Sequence, residues 1–293
     1  MLLTLDWPTL VTAVREVRWN YVIVALILSI AGVAIRGVRW LVLLRGLGID
    51  VPLRRLIKLY FVGTFFNAFL PTGLGGDAVR IVELARHNAR TPEAAGTVLV
   101  DRASGLWTMF VMGLIALPFG ARAIPPQMAL LVAVVGIGVV AGGWLAMGTP
   151  LVLWLGRRVR LPGQAKLERF YRAVSGCGYC ALAQACGVSL IFSTMTIAVN
   201  FLLARSLNVD LPLGTFFVYS PILAMALLVP SVGGLGVGEA VYSLMYGTVD
   251  VPQELATAMS LARYVSQTVV PGLIGGILYL IDGAMGLRQR TDL

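Results

Sequence analysis

Charged residues are scarce in this chain, and their scarcity narrows its class. Only 13% of the 293 residues are Asp, Glu, Lys or Arg, against about 25% in soluble domains. Hydrophobic residues make up 58%, and several apolar runs reach the roughly 20 residues that a helix needs to cross a bilayer. The sequence therefore predicts an all-α polytopic membrane protein, folded as one transmembrane domain over residues 1–293.

Histidine and cysteine are also rare. His87 is the only histidine, which argues against a histidine-built metal site or catalytic triad. The cysteines at 177, 180 and 186 begin one apolar helix, and a single CxxC pair without a nearby histidine favours packing over metal or redox chemistry. We expect no metal, no cofactor and no catalytic residue, and therefore no enzymatic activity.

The basic residues are almost all arginine and give a net charge of +9. They cluster in short loops between apolar runs, a pattern that reports membrane orientation and contact with anionic lipid rather than nucleic-acid binding. The first 20 residues carry charges and a proline but no apolar run, so they do not read as a cleavable signal peptide. The pattern of residues 4–19 predicts either an amphipathic helix on the membrane surface or a frayed terminus.

The stretch from Phe69 to Arg86 interrupts the apolar sequence with a proline, glycines and charged residues; it reads FLPTGLGGDAVRIVELAR. Pro71 ends a helix, and Asp77 stands at the N-cap of the next. Glycines between them permit a sharp turn; they are Gly73, Gly75 and Gly76. Helices over 53–70 and 77–88 would form either a re-entrant hairpin or two full crossings. A broken helix at membrane depth is tolerated only where it is buried in protein or lines a wet cavity.

The same order recurs as PSVGGLGVGEAVYSLMY, from Pro230 to Tyr246. Four turn glycines precede the acid Glu239; they are Gly233, Gly234, Gly236 and Gly238. A proline and then an arginine follow each acid at matched distances, namely Pro92 and Arg102 in the first half and Pro252 and Arg263 in the second. This spacing predicts a duplication, with repeat A over 21–119, repeat B over 178–282, and a connecting helix and basic loop over 120–177.

Further helices are predicted over 21–44, 91–119, 127–148, 178–204, 216–229 and 252–282. Arg36 and Arg39 near the end of the first are expected to extend toward the membrane interface. Gly138 and Gly142 predict a small-residue face for close helix packing.

The basic loops predict orientation in a cell inner membrane. Loops 45–58 and 155–172 and the C-terminal tail are basic and are assigned to the cytoplasm. Segments 120–126 and 206–215 and the 250s are poor in Lys and Arg and are assigned outside. The two broken elements would then enter from opposite faces, as in alternating-access transporters built from inverted repeats.

Ionisable residues at membrane depth are costly and by default functional. The candidates for substrate binding are Asp77, Arg80, Asp101, Arg102, Glu239 and Arg263. Most candidates also have a purely structural interpretation. Asp77 and Glu239 could be simple N-caps, and Asp101 and Arg102 could form ion pairs between helices. Arg80 could pair locally with Glu83. Arg263 has no acid within a helical turn, so Glu239, a phosphate or water would be its partner. Because arginine binds phosphate bidentately, these residues together predict a cavity for a lipid phosphate.

Four segments resemble the lysylphosphatidylglycerol synthase transmembrane-region family: FLPTGLGGDAVRIVELAR, RWLVLLRGLG at 39–48, VLVDRASGL at 98–106 and SVGGLGVGEA at 231–240. That family includes the flippase domain of the multiple peptide resistance factor. The likeness extends from about 21 to 282 and implies movement of a lipid, such as aminoacylated phosphatidylglycerol, between leaflets. Family members often have one more N-terminal helix, and no aminoacyl-transferase domain follows Asp282 here.

Three functions fit these observations. The first is a flippase for an anionic, aminoacylated or other phosphate-bearing lipid, with membrane lipids as its partners. The second is a secondary transporter of a small polar solute, and the third is an enzyme acting on a lipid head group, which lacks a recognisable nucleophile–base pair. A cavity open sideways to lipid would favour the first, and a sealed pocket the second. A homo-oligomer is compatible with the sequence.

Overall fold

The computed structural model describes residues 16–69, 75–85, 91–120, 124–148, 164–229 and 234–291. Within these ranges all regular structure is helical. Several predicted features lie outside them: the surface helix over most of 4–19, the end of the helix at 86–88, the basic loop over 155–163, and the turn residues Pro71, Gly73, Pro230 and Gly233.

The helices confirm the all-α membrane class. They are α1 Trp19–Gly46, α2 Leu53–Phe69, α3 Gly75–Ala85, α4 Thr91–Gly120, α5 Pro126–Gly148, α6 Gln164–Ser206, α7 Leu213–Ala226, α8 Val237–Gly247, α9 Gln253–Tyr264 and α10 Val270–Thr291. A π-helical turn, Val265–Val269, joins α9 to α10. In the described ranges five stretches are long and apolar enough to cross a membrane: Trp19–Gly46, Gly96–Gly120, Pro126–Leu145, Ser175–Ser206 and Gln253–Ile281. The protein is therefore a multi-pass membrane protein.

Two pairs of shorter helices interrupt these spans. At 1.5 Å per residue, α2 is about 26 Å long, α7 about 21 Å, and α3 and α8 each about 16 Å, all below the ~30 Å hydrocarbon core. The first pair packs tightly, since α2 contacts α3 directly and Asn67 Oδ1 accepts a hydrogen bond of 2.8 Å from the Gly76 amide. The second pair, α7 and α8, is joined by ring contacts of Phe216 and Tyr219 with Tyr246.

The interior is built from helix faces that meet away from lipid. α1 packs along α6, α4 packs against both α6 and α7, and α10 packs against α2. One hydrophobic cluster surrounds Trp40 and Leu56 of α1 and α2, and another surrounds Phe216 and Tyr246 of α7 and α8. Large apolar side chains on the outer faces are exposed, as on a surface solvated by lipid tails; they include Ile27, Ile115, Leu130, Trp144 and Leu244.

Contacts between helix ends show which helix termini lie at the same end of the helix bundle. Gly46, at the end of α1, approaches the carbonyl of Cys177 closely. Gly120, at the end of α4, approaches Gly214 at the start of α7, and the Arg18 amide donates a 3.0 Å hydrogen bond to the Ser206 carbonyl. The end of α1 thus lies with the start of the apolar part of α6, while the end of α4 lies with the start of α7.

Three local predictions are wrong. α6 begins at Gln164, inside the predicted loop 155–172, and breaks at Gly178, where φ is 76° and ψ is 156°. α7 begins three residues before position 216. Gly138 and Gly142 meet no neighbouring atom, whereas Gly136 and Gly143 of the same helix pack against Leu114 and Trp107. The face of α5 that packs is thus set by its neighbour α4 and not by glycine spacing alone.

Candidate functional site

A buried ion network centres on Asp101 of α4, which is 1% exposed. Its Oδ1 accepts a hydrogen bond of 2.7 Å from Arg39 Nε of α1. Its Oδ2 accepts one of 3.3 Å from Arg80 Nη2 of α3 and another from the Tyr60 hydroxyl of α2. A single carboxylate therefore joins four helices.

Arg39 lies inside the protein, so the expectation that it extends to the interface is wrong. Its guanidinium reaches Asp101 and also donates from Nη1 to Ser189 Oγ at 3.1 Å. The absence of a side chain at Gly105 makes room for it, since a Cβ there would lie 2.6 Å from Arg39 Nη1. Burial is tolerated because the charge is paired and hydrogen-bonded.

Arg80 binds the acid three residues before it and a second acid on another helix, and not Glu83. It contacts Asp77 Oδ1 at 3.2 Å and Asp101 at 3.3 Å, and so the predicted local pair with Glu83 gives way to these two. The guanidinium also lies 3.7 Å from the ring centroid of Tyr60 and 4.2 Å from that of Trp40. Aromatic faces attract such cations, most strongly where water is excluded.

Arg102 completes the network at its more exposed edge. Its Nε contacts Asp77 Oδ2, and its side chain is 31% exposed while that of Asp77 is 11% exposed. The acid of the first glycine element is therefore held by Arg80 and Arg102.

The second glycine element is arranged differently. Glu239 turns back on its own helix, and its Oε2 accepts a 2.5 Å hydrogen bond from the amide of Gly236, the N-cap residue, whose φ is 83°. Within the described ranges no ion pair joins Glu239 to Arg263, and the expectation of that pair is wrong. A glutamate at the third helical position reaches its own N-cap more readily than a distant helix.

Arg263 is buried, with 5% exposure, and lies beside the second element. A Cβ at Gly238 would be 3.2 Å from Arg263 Nη2, and its guanidinium is 6.0 Å from the Tyr242 ring centroid. The expected common cavity for Asp77 and Glu239 is not formed by these contacts, because α3 packs on α2 and α4 while α8 packs on α7 and α9.

A cavity of about 190 Å³ lies between α1, α6 and the π turn. Its polar wall includes Ser29, Arg36, Thr196, Arg263, Gln267 and Thr268. Arg36 therefore points inward, and its expected extension to the interface is wrong. Its guanidinium lies 5.4 Å from the Tyr60 ring centroid and 5.1 Å from that of Phe192. Sequence reasoning missed Arg36 as a site residue, although an arginine ten residues inside an apolar helix was a usable signal.

Three residues of the cavity wall each have a buried side-chain nitrogen without an acceptor partner in the described part of the chain. Arg36 Nε, Arg263 Nε and Gln267 Nε2 are buried and make no hydrogen bond within the described part of the chain. The side-chain nitrogens of Arg and Gln can only donate, and no acidic residue lines the cavity. A cavity lined by two guanidinium cations and an amide donor is suited to binding an anionic group.

The family described as the lysylphosphatidylglycerol synthase TM region matches residues 1–275. The chain belongs to this family. The match covers α1 to α9, the π turn and the start of α10, and thus includes both the ion network and the cavity. The resemblance noted from the glycine elements is confirmed.

Two archaeal relatives of this family member are membrane proteins. The UPF0104 membrane protein PH1989 of Pyrococcus horikoshii is 22% identical over 294 residues, covering 89% of this chain and 87% of the relative. A UPF0104 membrane protein of Methanothermobacter thermautotrophicus is 33% identical over 92 residues, covering 31% of this chain and 27% of the relative. Both names describe a location and not an activity.

The cysteines lie apart from the cavity wall. Cys177, Cys180 and Cys186 are free thiols. Cys177 is buried and its Sγ contacts the Leu43 carbonyl oxygen at 3.4 Å, while Cys180 is exposed. The CxxC pair is thus split between the protein interior and the outer face of α6.

Proposed function

We propose that this protein moves an anionic, phosphate-bearing lipid between the leaflets of the cell membrane. The observation that carries the proposal is the cavity in which Arg36 of the first half and Arg263 of the second half face one space without an acid. Arginine forks bind phosphate oxygens in pairs. Two guanidiniums inside the membrane domain without a counter-ion among the described residues are costly, and a bound phosphate offsets that cost.

The apolar wall of the cavity supports a lipid rather than a soluble anion. Leu28, Met195 and Val199 line it together with the polar residues. Ile27 and Ile191, on the same two helices, are exposed on the outer surface. A head group held by the arginines would therefore lie close to the lipid-facing side, where its acyl chains remain in the bilayer.

The transport cycle that we propose uses the two broken elements as opposing gates. The α2–α3 and α7–α8 pairs are each too short to cross the bilayer as single helices, and we assign them to re-entrant hairpins of two inverted repeats. Under this arrangement loops 45–58 and 155–172 are cytoplasmic, and the segments around 120–126 and 206–215 are external. Alternating exposure of the arginine cavity to the two leaflets would move the lipid. We propose no covalent chemistry.

The test is lipid movement in proteoliposomes. Phosphatidylcholine vesicles with a trace of fluorescent phosphatidylglycerol are treated with dithionite, which destroys label only in the outer leaflet. Wild-type protein should bring inner-leaflet label to the outer leaflet, where dithionite destroys it, with and without an imposed proton or sodium gradient, and Arg263→Ala should abolish that loss of inner-leaflet label. Arg263→Lys should recover part of it, because a lysine offers a point charge without a bidentate fork.

A matched control comes from the same helix as Arg36. Arg45 is exposed at the end of α1, so Arg45→Ala should move lipid as wild type does, whereas Arg36→Ala should not. Wild-type movement by folded Arg263→Ala would overturn the role of the cavity. Uptake of radiolabelled phosphate without lipid movement would establish the solute transporter instead.

A further inference from the structure

We infer that the cavity selects a head group with only negative charge, best matched by a lipid phosphate monoester, and that it rejects aminoacylated lipids. The inference rests on the proposed function and goes beyond it by naming the substrate class. It also differs from what the family's description suggests, because lysylphosphatidylglycerol carries amino groups. The first observation is the composition of the cavity wall, in which two guanidiniums have no carboxylate beside them.

Asp101 and the acids of the two glycine elements are already engaged. Asp101 is bound by Arg39, Arg80 and the Tyr60 hydroxyl. Both oxygens of Asp77 contact arginines, and Glu239 accepts from its own N-cap amide. An ammonium group entering the cavity would have to take one of these carboxylates from its present partners.

Neutral acceptors in the wall do not replace a carboxylate. The Ser29 hydroxyl donates to the Ala25 carbonyl at 2.7 Å, and the Thr196 hydroxyl donates to the Phe192 carbonyl at 3.0 Å. Their oxygens can accept a hydrogen bond but cannot neutralise a charge. A desolvated ammonium beside two guanidiniums is strongly disfavoured, because like charges repel and a buried unpaired charge is costly.

The charge of the cavity wall matches a monoester better than a diester. A phosphate monoester carries about −1.5 to −2 charges at neutral pH and three terminal oxygens, whereas a diester carries one charge and two terminal oxygens. The wall carries two guanidinium charges and no carboxylate, and the Gln267 side chain lies beside them. A monoester therefore neutralises both arginines and leaves an oxygen for the amide.

Gln267 is the residue that we assign to this discrimination. It lies in the π turn Val265–Val269, one turn after Arg263, and lines the same cavity. Single π turns within α-helices are frequent at functional sites, because the extra residue changes the direction of the side chains that follow. Gln267 adds a neutral donor beside the two charges and so distinguishes head groups by their number of oxygens.

The test compares three fluorescent lipids with identical acyl chains in the dithionite assay: phosphatidic acid, phosphatidylglycerol and lysylphosphatidylglycerol. Wild type should move phosphatidic acid fastest and lysylphosphatidylglycerol at least about tenfold more slowly, the ratio that corresponds to ~1.4 kcal/mol. Gln267→Leu should bring the rates for phosphatidic acid and phosphatidylglycerol together while movement persists.

A gain-of-function variant tests the charge argument without relying on loss of activity. Thr196→Asp places a carboxylate in the cavity wall and should raise the rate for lysylphosphatidylglycerol relative to phosphatidic acid. Thr196→Asn has the same shape without the charge and should keep the wild-type order.

The outcomes separate this inference from the proposed function. Equal or faster movement of lysylphosphatidylglycerol by wild type, or equal rates for phosphatidic acid and phosphatidylglycerol, overturns the selectivity while lipid transport stands. Movement of none of the three lipids overturns the proposed function itself. Inorganic phosphate that enters the vesicles, without lipid movement, assigns the arginines to a soluble anion and overturns both.

Discussion

At the scale of single residues, the protein divides its buried charges into two groups. Arg39, Arg80 and Arg102 share the carboxylates of Asp77 and Asp101. Arg36 and Arg263 face a cavity without an acid. The first group holds helices together, because binding an anion there would require breaking pairs that already exist. The second group offers its charge to a ligand, and for that reason we place the substrate there.

Asp101→Asn should destabilise the protein strongly. Losing the central charge leaves Arg39 and Arg80 buried with weaker partners, and breaking a buried pair costs about 3–5 kcal/mol. The measurement is denaturant or thermal unfolding of the purified protein in detergent, followed by tryptophan fluorescence. Asp210→Asn is the control, because its exposed carboxylate pairs with Arg205 at the surface and such pairs contribute little. A stable Asp101→Asn variant would contradict the central role of that carboxylate.

The sequence identifies charged residues whose burial in a membrane costs free energy, but it does not show which of them contact one another. Four charged residues interrupt apolar sequence, and the structure joins them in one network; they are Asp77, Arg80, Asp101 and Arg102. Local sequence assigns Arg39 to the interface, because its partner is 62 positions away in the chain. The position of Arg36 inside an apolar helix marks it as costly, but no local pattern shows that Arg263 and Gln267 line the same cavity.

At the scale of helices, glycines set how closely the short elements approach. A Cβ at Gly76 of α3 would overlap the carbonyl of Gly63 in α2, and one at Gly275 of α10 would overlap the carbonyl of Phe61. α2 is thus packed on two sides by backbone contacts that only glycine allows. These contacts hold the broken pair against the last long helix.

Gly76→Ala should force α2 and α3 apart. Overpacking of this kind costs about 1–3 kcal/mol, and the shift should also lengthen the hydrogen bond between the Gly76 amide and Asn67. Yield of monodisperse protein and its melting temperature in detergent measure the effect. Gly142→Ala on α5 meets no atom within 4 Å and should behave as wild type does. Equal losses in both variants would mean that the α2–α3 contact is not special.

Helix positions were easier to predict than helix faces. The length and apolarity of each span follow from the bilayer thickness, and the predicted spans agree with the described helices to within a few residues for α1, α4 and α5. Which side of a helix contacts protein depends on its neighbours. Glycine spacing therefore suggested Gly138 and Gly142, while α4 in fact packs on Gly136 and Gly143.

At the scale of the whole molecule, the two halves use matched positions differently. Arg102 and Arg263 follow the two glycine elements at nearly equal distances, yet Arg102 is bound to Asp77 and Arg263 has no acid within the described ranges. If the halves arose by duplication, one arginine became structural while the other stayed available. In the proposed site Arg263 of the second half and Arg36 of the first half hold one substrate together, so movement of one half against the other would release it.

The proposed orientation predicts that Arg54 and Gln253 lie on opposite sides of the membrane. Both are exposed. Arg54 is the second residue of α2 and lies in the predicted basic loop 45–58, and Gln253 begins α9 in a segment poor in Lys and Arg. Single cysteines introduced at these positions, in a background with the three native cysteines replaced by serine, report their side through a membrane-impermeant maleimide. In intact spheroplasts Gln253→Cys should be labelled, and Arg54→Cys should be labelled only after the membrane is opened.

Asn208 provides the matched position for this experiment. It is exposed in the turn after α6, close to Ser206, which accepts from the Arg18 amide. Asn208→Cys should therefore react as Gln253→Cys does, because positive-inside sorting assigns both segments to the outside. If Arg54 and Gln253 were labelled together, the two broken elements would enter from one face. The cavity could then not open alternately through two inverted gates, and lipid movement would have to follow a single path between α1 and α6.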